Sequence, residues 1–511
     1  MVWILVALSV LATVSIVVTH MHMFQLGSYR AREQFTWLTA HRGAWIPQIL
    51  VIVIAGLSLL AAWPSAILAG IIFLILAGVF FPRPNKAKKP LVFTSRVNRM
   101  MVTIGVGVVA TCLAVALVPP RWSILVACLP VIISPLAVIL ANVINSPIEA
   151  AVRHRYLREA KNLLASHPNL ITIGVTGSYG KTSVKYYLAT LLRNRFNVLM
   201  TPESYNTPMG ITKTIRGELR ATHEVFIAEM GARHRGDIRE DCDLVNPTIG
   251  IITAIGEQHL ETFGSLDTII ATKMELAEAV RGKGTLYLNG DNPHLAGNQP
   301  DQDRWLYGLE PSNGTFAHDI TVSLGGTSFS LTHRGQTINN LTTPLIGSHS
   351  IQNLAGAAAV GLDLGLTDIE LRAGMKKLEP APHRLALTRQ GPVTIIDDAY
   401  NSNPAGAKAA LDTLAMFDAT KILITPGMVE LGERQEALNE EFGAQAVNCD
   451  FVYLVGAKQA EPISRGLLGA GFDPAKITVV DDVREALAQA QALPIDGDRV
   501  ILLENDLPDN Y

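Results

Sequence analysis

The chain has 511 residues and a net charge of −3, and 49% of its residues are hydrophobic although only 6% are aromatic. This length predicts about two to four domains, and the near-neutral charge gives no support for nucleic-acid binding. The four cysteines (Cys112, Cys128, Cys242 and Cys449) have neither the spacing of zinc ligands nor that of a disulfide framework, which fits a reducing compartment.

Apolar residues are concentrated in the first 145 positions. Each apolar segment there approaches the roughly 20 residues that a helix needs to cross a bilayer. The five segments are about 2–19, 45–63, 65–82, 101–119 and 123–145. The first lacks a basic start and a small-residue cleavage site, so we interpret it as a retained span and not as a signal peptide. The sequence therefore predicts an α-helical membrane domain of about five transmembrane helices.

Basic residues between these segments predict the orientation, because positively charged loops stay in the cytoplasm. They are Arg30, Arg32 and Arg42 after the first segment, Arg83, Lys86, Lys88, Lys89, Arg96 and Arg99 after the third, and Arg153, Arg155, Arg158 and Lys161 after the fifth. All three groups of basic residues lie on the same side of the membrane only if the number of spans is odd and the N-terminus lies outside. The prediction is a multi-pass protein of the plasma membrane with its C-terminal part in the cytoplasm.

Residues 174–183 read GVTGSYGKTS and follow the apolar run 170–173. This pattern predicts a strand, a glycine-rich loop and a helix that begins at Lys181. Backbone N–H groups and the helix dipole favour a phosphate there, Lys181 adds a cation, and the Thr182 hydroxyl can bind Mg2+. The residues expected to contact ATP phosphates are Gly177, Ser178, Gly180, Lys181, Thr182 and Ser183.

Three polar residues follow later elements of the same predicted sheet. Glu229 ends the strand 224–228, and a carboxylate at that edge of an open α/β sheet is a candidate Mg2+ ligand. His259 follows the strand 249–253, and Lys273 lies on the next helix. A single loop histidine is usually not a ligand, and a single helical lysine is usually solvated. Here, however, Glu229 and His259 follow successive predicted strands of one sheet, and Lys273 lies on the next helix.

Nine motifs in this order make the chain similar to the Mur ligase family, and within it to the branch that adds D-Ala-D-Ala. They are TGSYGKTS (176–183), SYNTPMG (204–210), EMGA (229–232), HLETFGS (259–265), TKMEL (272–276), NGDN (289–292), GSHSIQN (347–353), HRL (383–385) and DDAYNSNP (397–404). The resemblance covers about residues 170–435.

The resemblance implies a chemistry in which ATP phosphorylates a carboxylate and an amine attacks the resulting acyl phosphate. It implies two Mg2+ sites. Lys181 and Thr182 would hold phosphates and the first ion, which Glu229 shares. His259 would bind the second ion together with Lys273, which matches the lysine that is carbamylated in this family.

The resemblance also implies nucleotide and substrate contacts. The implied nucleotide residues are Asn292, Asn353, Arg384 and Asp398, with Asp397 as a rival for the last position, and the implied substrate residues are Ser204, Asn206 and Thr207. Arg384 and Asp398 lie on a different predicted domain from Lys181, so closure of the two domains should assemble the site.

The predicted domains are a membrane domain (1–145), a linker helix (146–168), a central P-loop domain with a parallel sheet (169–383) and a Rossmann-like α/β domain (384–511). The family's UDP-sugar-binding domain is missing, and Gly427 stands where an aspartate is usual, so both substrate-recognition ends differ from the family pattern.

The sequence therefore predicts a membrane-anchored, ATP-dependent amide ligase of cell-wall synthesis. It would add an amino acid or a dipeptide such as D-Ala-D-Ala to a muropeptide-type or lipid-linked acceptor. Two alternatives stay open: a poly-γ-glutamate-type synthase, and a non-catalytic membrane scaffold that binds ATP.

Overall fold

The computed structural model describes residues 2–27, 29–58, 62–80, 90–203, 205–258, 260–298, 300, 302–323, 326–380, 385–399, 403–429, 431–494 and 497–505. The chain divides into two compact units, Met1–Arg155 and Tyr156–Leu507.

The first unit is helical. Its helices are α1 (Val2–Leu26), α2 (Ala31–Ala40), α3 (Ile46–Ser58), α4 (Ala62–Val79), α5 (Ser95–Leu117) and α6 (Pro120–Ala165), with a 3-10 turn at Arg42–Trp45. Helix α6 contains Pro130, Pro135 and Pro147 and continues into the second unit. The predicted linker residues 146–165 thus extend the same helix that carries the last apolar segment.

The prediction of about five membrane-crossing helices is supported in part. Among the described residues, three helices are long and apolar enough to cross a membrane: Val2–Leu26, Ser95–Leu117 and Trp122–Ala165. The second predicted segment contains the shorter apolar helix Ile46–Ser58, and the third overlaps α4, whose stretch Ser65–Val79 is also apolar. At 1.5 Å per residue α3 measures about 20 Å and α4 about 27 Å, against the roughly 30 Å of a bilayer core. Residues 59–61 and 81–89 lie outside the described residues.

The second unit begins with a large sheet that carries helices on both faces. Its strands are β1 (Ile171–Thr176), β2 (Val198–Met200), β3 (Val225–Glu229), β4 (Ile249–Ile252), β5 (Thr285–Asn289), β6 (Arg304–Gly308), β7 (Thr315–Ser323), β8 (Gly326–His333) and β9 (Gln336–Thr343). Within the described part of the chain, the sheet has nine strands in the order β2-β3-β1-β4-β5-β6-β7-β8-β9. The pairs from β2 to β7 are parallel, and β7, β8 and β9 pair antiparallel.

The helices of this sheet are α7 (Lys181–Leu192), α8 (Pro208–Glu218), α9 (Asp237–Val245), α10 (Leu260–Phe263), α11 (Leu266–Lys273), α12 (Glu275–Val280), α13 (Pro293–Ala296), α14 (Ser348–Asp363) and α15 (Asp368–Met375). One apolar core packs α7 and α14 against the strands, and a second packs α8, α9 and α12 against them. Strands covered by helices on both sides explain why β1 and β4 read as continuous apolar runs in the sequence.

A second, mostly parallel sheet follows, with strands β10 (Ala386–Gln390), β11 (Val393–Asp398), β12 (Thr420–Thr425), β13 (Phe451–Val455), β14 (Ile477–Val480) and β15 (Arg499–Glu504). Its helices are α16 (Pro404–Ala415), α17 (Gln435–Gln445), α18 (Ala460–Gly469) and α19 (Val483–Ala492), with 3-10 turns at Gly432–Arg434, Ala446–Asn448 and Pro474–Lys476. Over the described residues, six strands run in the order β10-β11-β15-β12-β13-β14, and only β10 is antiparallel to its neighbour. The predicted α/β architecture with two parallel sheets is thus confirmed.

Candidate active site

The glycine-rich loop lies between β1 and α7, as the sequence predicts, and α7 begins at Lys181. Gly177 has a φ of +151° and Gly180 a φ of +79°, a region that side chains with a Cβ avoid. A Cβ at Gly177 would lie 2.1 Å from the Thr253 hydroxyl. Both glycines are therefore required by the conformation of the loop.

Hydrogen bonds tie this loop to the segment that follows β4. The Ser178 backbone N–H donates to the Ala254 carbonyl (2.6 Å), and the Ser178 hydroxyl donates to the Gly256 carbonyl (3.0 Å). The Tyr179 hydroxyl donates to the Glu257 carbonyl (2.8 Å). The loop is therefore held at several points, which keeps its backbone preorganised.

Lys181 lies over the loop that precedes it. Its ammonium donates to the carbonyls of Gly177 (2.8 Å) and Ser178 (3.1 Å). A small concavity at this point is lined by Ser178, Tyr179, Gly180, Lys181, Thr182, Ser183, Gln258 and Asn403. Five of the six predicted phosphate-contacting residues thus line one depression at the N-terminus of α7, where the helix dipole favours an anion.

Glu229, at the end of β3, is the centre of a buried polar cluster. The Thr182 hydroxyl and the Asn206 amide each donate to its Oε1, both over 3.1 Å. The Lys185 ammonium lies 3.0 Å from Oε2, and the two side chains of this ion pair are 0% and 1% exposed. The structure therefore brings together three predicted residues, Thr182, Asn206 and Glu229, and adds Lys185.

The cluster fits a magnesium ion in its ligand chemistry. Among the described residues no three His, Cys, Asp or Glu side chains form a metal-binding group, so a complete protein cage is not expected from them. Mg2+ is instead often bound through one or two carboxylates together with substrate phosphates and water. Glu229 and Thr182 supply a carboxylate and a hydroxyl of this kind beside the phosphate loop.

Lys273, the last residue of α11, is almost completely buried. Burial, followed by the positive charge of Lys181, lowers the pKa of Lys273 to about 7. The low pKa leaves a substantial neutral fraction of the amine near pH 7, which is the form that reacts with electrophiles such as CO2.

Asp241 of α9 is a buried carboxyl that the sequence analysis did not identify. Neither of its oxygens has a hydrogen-bond partner in the described part of the chain, and burial raises the pKa of Asp241 well above its usual value. Its charge also acts on Lys273 and raises that lysine's pKa against the effect of burial.

A cavity of about 450 Å³ lies beside the phosphate loop and is lined from both sheets. Its lining includes the predicted residues Gly180, Ser183, Asn292, Asn353 and Asp398. Asp398 lines this cavity. The side chain of its rival Asp397 instead accepts a hydrogen bond from the Ala399 backbone N–H (3.2 Å). Successive strand residues point to opposite faces, and this explains the difference between the two aspartates.

His349, to which the sequence gave no role, also lines this cavity, as does Ser350. Asn292 has a structural task as well, because its side chain accepts from the Leu295 backbone N–H (3.2 Å) and donates to the Ile255 carbonyl (3.0 Å). Asn403 caps α16 and lines both the cavity and the phosphate concavity.

Gly180→Ala is expected to weaken ATP binding because a Cβ there would lie 2.5 Å from the Asn353 Oδ1. Gly236→Ala is the matched control, since Gly236 also precedes a helix with positive φ (+93°) and has nothing within 4 Å of its Cβ. Both changes should cost about 1–2 kcal/mol of backbone strain. Only Gly180→Ala should also raise the Kd for ATP, by about tenfold, in calorimetric titration. Equal ATP affinity in the two variants would contradict the assigned contact.

Several predicted residues are not placed at the site. Ser204, His259 and Arg384 lie outside the described residues. Thr207 caps α8, where its hydroxyl accepts from the Gly210 backbone N–H over 3.3 Å.

The departure at Gly427 has a structural reason. Gly427 has a φ of +79°, and a Cβ there would lie 2.7 Å from the Gln459 Cβ and 2.8 Å from the Asn439 Oδ1. Its carbonyl accepts from the Asn505 amide over 2.6 Å. The packing leaves no space for an aspartate side chain at this position.

Comparisons with known proteins identify the family of the chain. A family model described as the Mur ligase middle domain matches residues 175–361, and one described as the Mur ligase, glutamate ligase domain matches residues 383–503.

The chain is also similar to curated proteins named UDP-N-acetylmuramoyl-tripeptide–D-alanyl-D-alanine ligase. The protein of that name from Mycobacterium tuberculosis (strain ATCC 25618 / H37Rv) is 32% identical over 360 residues, which cover 65% of this chain and 70% of the relative. The one from Escherichia coli (strain K12) is 31% identical over 331 residues, 63% of this chain and 72% of the relative.

Two solved structures of MurF proteins are similar to this chain. MurF ligase from Thermotoga maritima, in complex with ADP, is 26% identical with a TM-score of 0.63, and the match covers 69% of this chain and 80% of that one. MurF from Acinetobacter baumannii is 24% identical with a TM-score of 0.63, over 69% of this chain and 77% of that one, and shows the shared fold.

Proposed function

The chain belongs to the Mur ligase family, and we propose that it is a membrane-anchored, ATP-dependent peptide ligase of peptidoglycan synthesis. It joins D-Ala-D-Ala, or a similar amino acid or dipeptide, to the carboxylate of a muropeptide-type acceptor through an acyl phosphate. The observation that carries this proposal is the cavity beside the phosphate loop, because residues of both sheets that the family resemblance assigns to ATP line it together.

ATP would bind with its base and ribose in this cavity, near Asn353 and Asp398, and with its phosphates along the loop. The Lys181 ammonium, now on loop carbonyls, is long and flexible enough to turn to the β- and γ-phosphates. Glu229 and Thr182 would hold a magnesium ion, which neutralises phosphate charge when it is bound. Cations and backbone donors of this kind supply most of the catalysis in phosphoryl transfer.

The reaction has two steps. In the first, a carboxylate oxygen of the acceptor bonds to the γ-phosphorus while the bond from that phosphorus to the β-phosphate oxygen breaks, which releases ADP. In the second, the incoming amine bonds to the acyl carbon, loses a proton, and expels inorganic phosphate. The first step brings the acceptor carboxylate and the ATP phosphates together, and in the second negative charge builds on the acyl oxygen and the departing phosphate, so cations at the site would favour both steps.

Lys273 is proposed to carry a carbamate, which would turn its cation into an anionic metal ligand. The buried amine with a pKa of about 7 supports this, since only a neutral amine adds CO2. We expect protein incubated with ¹³C-labelled bicarbonate to show one carbamate signal by NMR, and Lys273→Ala to lack it. Lys283→Ala, at an exposed lysine of the same sheet domain, is the control and should keep the signal. A signal that persists in Lys273→Ala would place the carbamate elsewhere.

Membrane attachment is supported by the three long apolar helices. Three spans and five spans are both odd, so the basic segments lie on one side of the membrane in either case, and the predicted orientation is the same for both numbers. We propose that the protein is held in the plasma membrane with the α/β unit in the cytoplasm, where ATP is available.

The test is phosphate release by the full-length protein in detergent with ATP and D-Ala-D-Ala. UDP-linked and lipid-linked muropeptides serve as acceptors, and glutamate in place of the dipeptide tests for polymer formation. The proposal expects phosphate release that depends on both acceptor and dipeptide. Release with glutamate and growing polymer would favour a poly-γ-glutamate-type synthase, and no release with any acceptor would leave only an ATP-binding role.

A further inference from the structure

A second, larger cavity lies apart from the ATP cavity, between the C-terminal part of α6 and helix α8 with the loop before it. Its volume is about 1090 Å³. We name it the α6–α8 cavity and define it by Tyr156, Leu163, Tyr205, Met209, Lys213 and Arg216. Tyr205 and Met209 belong to the SYNTPMG motif (204–210), but none of the predicted site residues that the structure describes lines this cavity.

Two cation–aromatic pairs form its polar wall. The Lys213 ammonium lies 4.9 Å from the centre of the Tyr205 ring and donates to the Tyr205 hydroxyl over 2.8 Å. The Arg216 guanidinium lies 4.0 Å above the Tyr156 ring and 2.9 Å from the Glu159 carboxylate. Among the residues that line the cavity, two cations against one carboxylate leave a net positive charge, which favours an anionic ligand, while Glu203 and Glu218 outside the lining also act on Lys213.

The rest of the lining suits a ligand with apolar parts. Leu163 and Met209 are both exposed, each at 38%. Thr212 also lines the cavity, and its buried hydroxyl has no hydrogen-bond partner within the described residues. A cavity with cations, aromatic faces and apolar side chains fits a phosphate-bearing amphiphile better than a free inorganic anion.

The cavity is directly connected to the catalytic cluster through the chain. Tyr205 lines the cavity, and the next residue, Asn206, donates to the Glu229 carboxylate over 3.1 Å. Tyr205 is fixed by α8, because a Cβ at Gly210 would lie 3.1 Å from its Cα. The segment that lines the cavity therefore continues directly into the residue that contacts the Glu229 carboxylate.

We propose that the α6–α8 cavity binds the phosphate-bearing end of a lipid-linked acceptor, with its anionic group between Lys213 and Arg216 and its less polar atoms against Tyr156, Leu163 and Met209. This proposal rests on the proposed ligase function. The lipid-linked source is chosen over a nucleotide-linked one because the cavity wall belongs to α6, the same continuous helix that carries an apolar candidate span.

The test uses the full-length protein in detergent micelles with two probes: a polyprenyl-diphosphate-linked muramoyl peptide and its soluble UDP-linked counterpart. Direct binding and KM are both measured. The double variant Lys213→Gln/Arg216→Gln should raise the Kd and KM for the lipid-linked probe at least about tenfold, while KM for ATP stays within about twofold. The control Arg239→Gln/Lys476→Gln removes two exposed cations outside the cavity and should change neither value.

The double variant also breaks the Arg216–Glu159 ion pair, so its effect could be structural. Met209→Glu controls for this, because it keeps that pair and adds a negative charge to the cavity. It should also weaken binding of the lipid-linked probe at least about fivefold. Unchanged Kd and KM in both variants would overturn the proposal, as would a loss confined to the UDP-linked probe. If the unmodified protein releases no phosphate with either acceptor, the ligase function fails, and the binding measurements still decide whether the cavity holds the lipid-linked diphosphate.

Discussion

Lys181→Ala is expected to lower acceptor-dependent phosphate release at least about a thousandfold, which corresponds to about 4 kcal/mol of transition-state stabilisation. The Lys181 ammonium lies at the mouth of the phosphate loop, within hydrogen-bond distance of the Gly177 and Ser178 carbonyls. Its removal leaves the transferred phosphoryl group without the cation that its negative charge requires. The fold should persist, because Lys181 is only half-buried.

The measurement is kcat for phosphate release together with thermal unfolding of the same preparation. Lys476→Ala removes an exposed lysine of the C-terminal sheet domain and should change neither quantity. A Lys181→Ala protein that retains more than about a tenth of the activity would show that the loop does not bind the transferred phosphate.

Lys185→Met is expected to destabilise the α/β unit by about 3–5 kcal/mol, the usual cost of leaving one member of a buried ion pair without its partner. Lys185 and Glu229 are 0% and 1% exposed and lie 3.0 Å apart. Burial lowers the pKa of Lys185 and the Glu229 carboxylate opposes that shift. Without the lysine, the carboxylate of Glu229 remains in a medium that solvates it poorly.

The matched control is Lys408→Met, which breaks an ion pair with Asp412 whose side chains are 57% and 59% exposed. Exposed pairs contribute less than about 1 kcal/mol, so this variant should unfold almost like the parent protein. Thermal unfolding in detergent should separate the two by roughly 5–10 °C. Equal unfolding temperatures would mean that Lys185 does not compensate the buried charge of Glu229.

Local patterns predicted the phosphate loop well. The glycines at 177 and 180 adopt positive φ, and the helix begins at Lys181, because a glycine-rich turn between an apolar run and a helix has few other conformations. The strands that end at Glu229 and that precede His259 were also predicted, since buried parallel strands read as short apolar runs.

Contacts between distant segments were predicted only where the family resemblance implied them. It placed Thr182 and Glu229 at one metal ion, 47 residues apart in sequence, but gave no sign that Asn206, 23 residues from Glu229, bonds to the same carboxylate oxygen. Lys185 was missed, although a signal was present: it shares the buried face of α7 with Leu188 and Leu192, where an apolar residue is usual. A lysine on an apolar helix face calls for a buried partner.

The membrane-crossing helices were predicted in part. In the described part of the chain, three helices are long and apolar enough to cross a membrane, whereas the runs at 45–63 and 65–82 contain the shorter helices α3 and α4. Hydropathy measures composition and not where a helix begins and ends, so it could not give the lengths of these helices.

The measurement that tests the ligase mechanism most directly follows heavy oxygen from the acceptor carboxylate. Full-length protein is incubated with ATP, D-Ala-D-Ala and a muropeptide acceptor whose reacting carboxylate carries ¹⁸O at both oxygens, and both products are analysed by mass spectrometry. An acyl phosphate predicts that each new amide is accompanied by one inorganic phosphate containing one labelled oxygen. Phosphate without label, or ATP hydrolysis without amide, would contradict the proposed ligase.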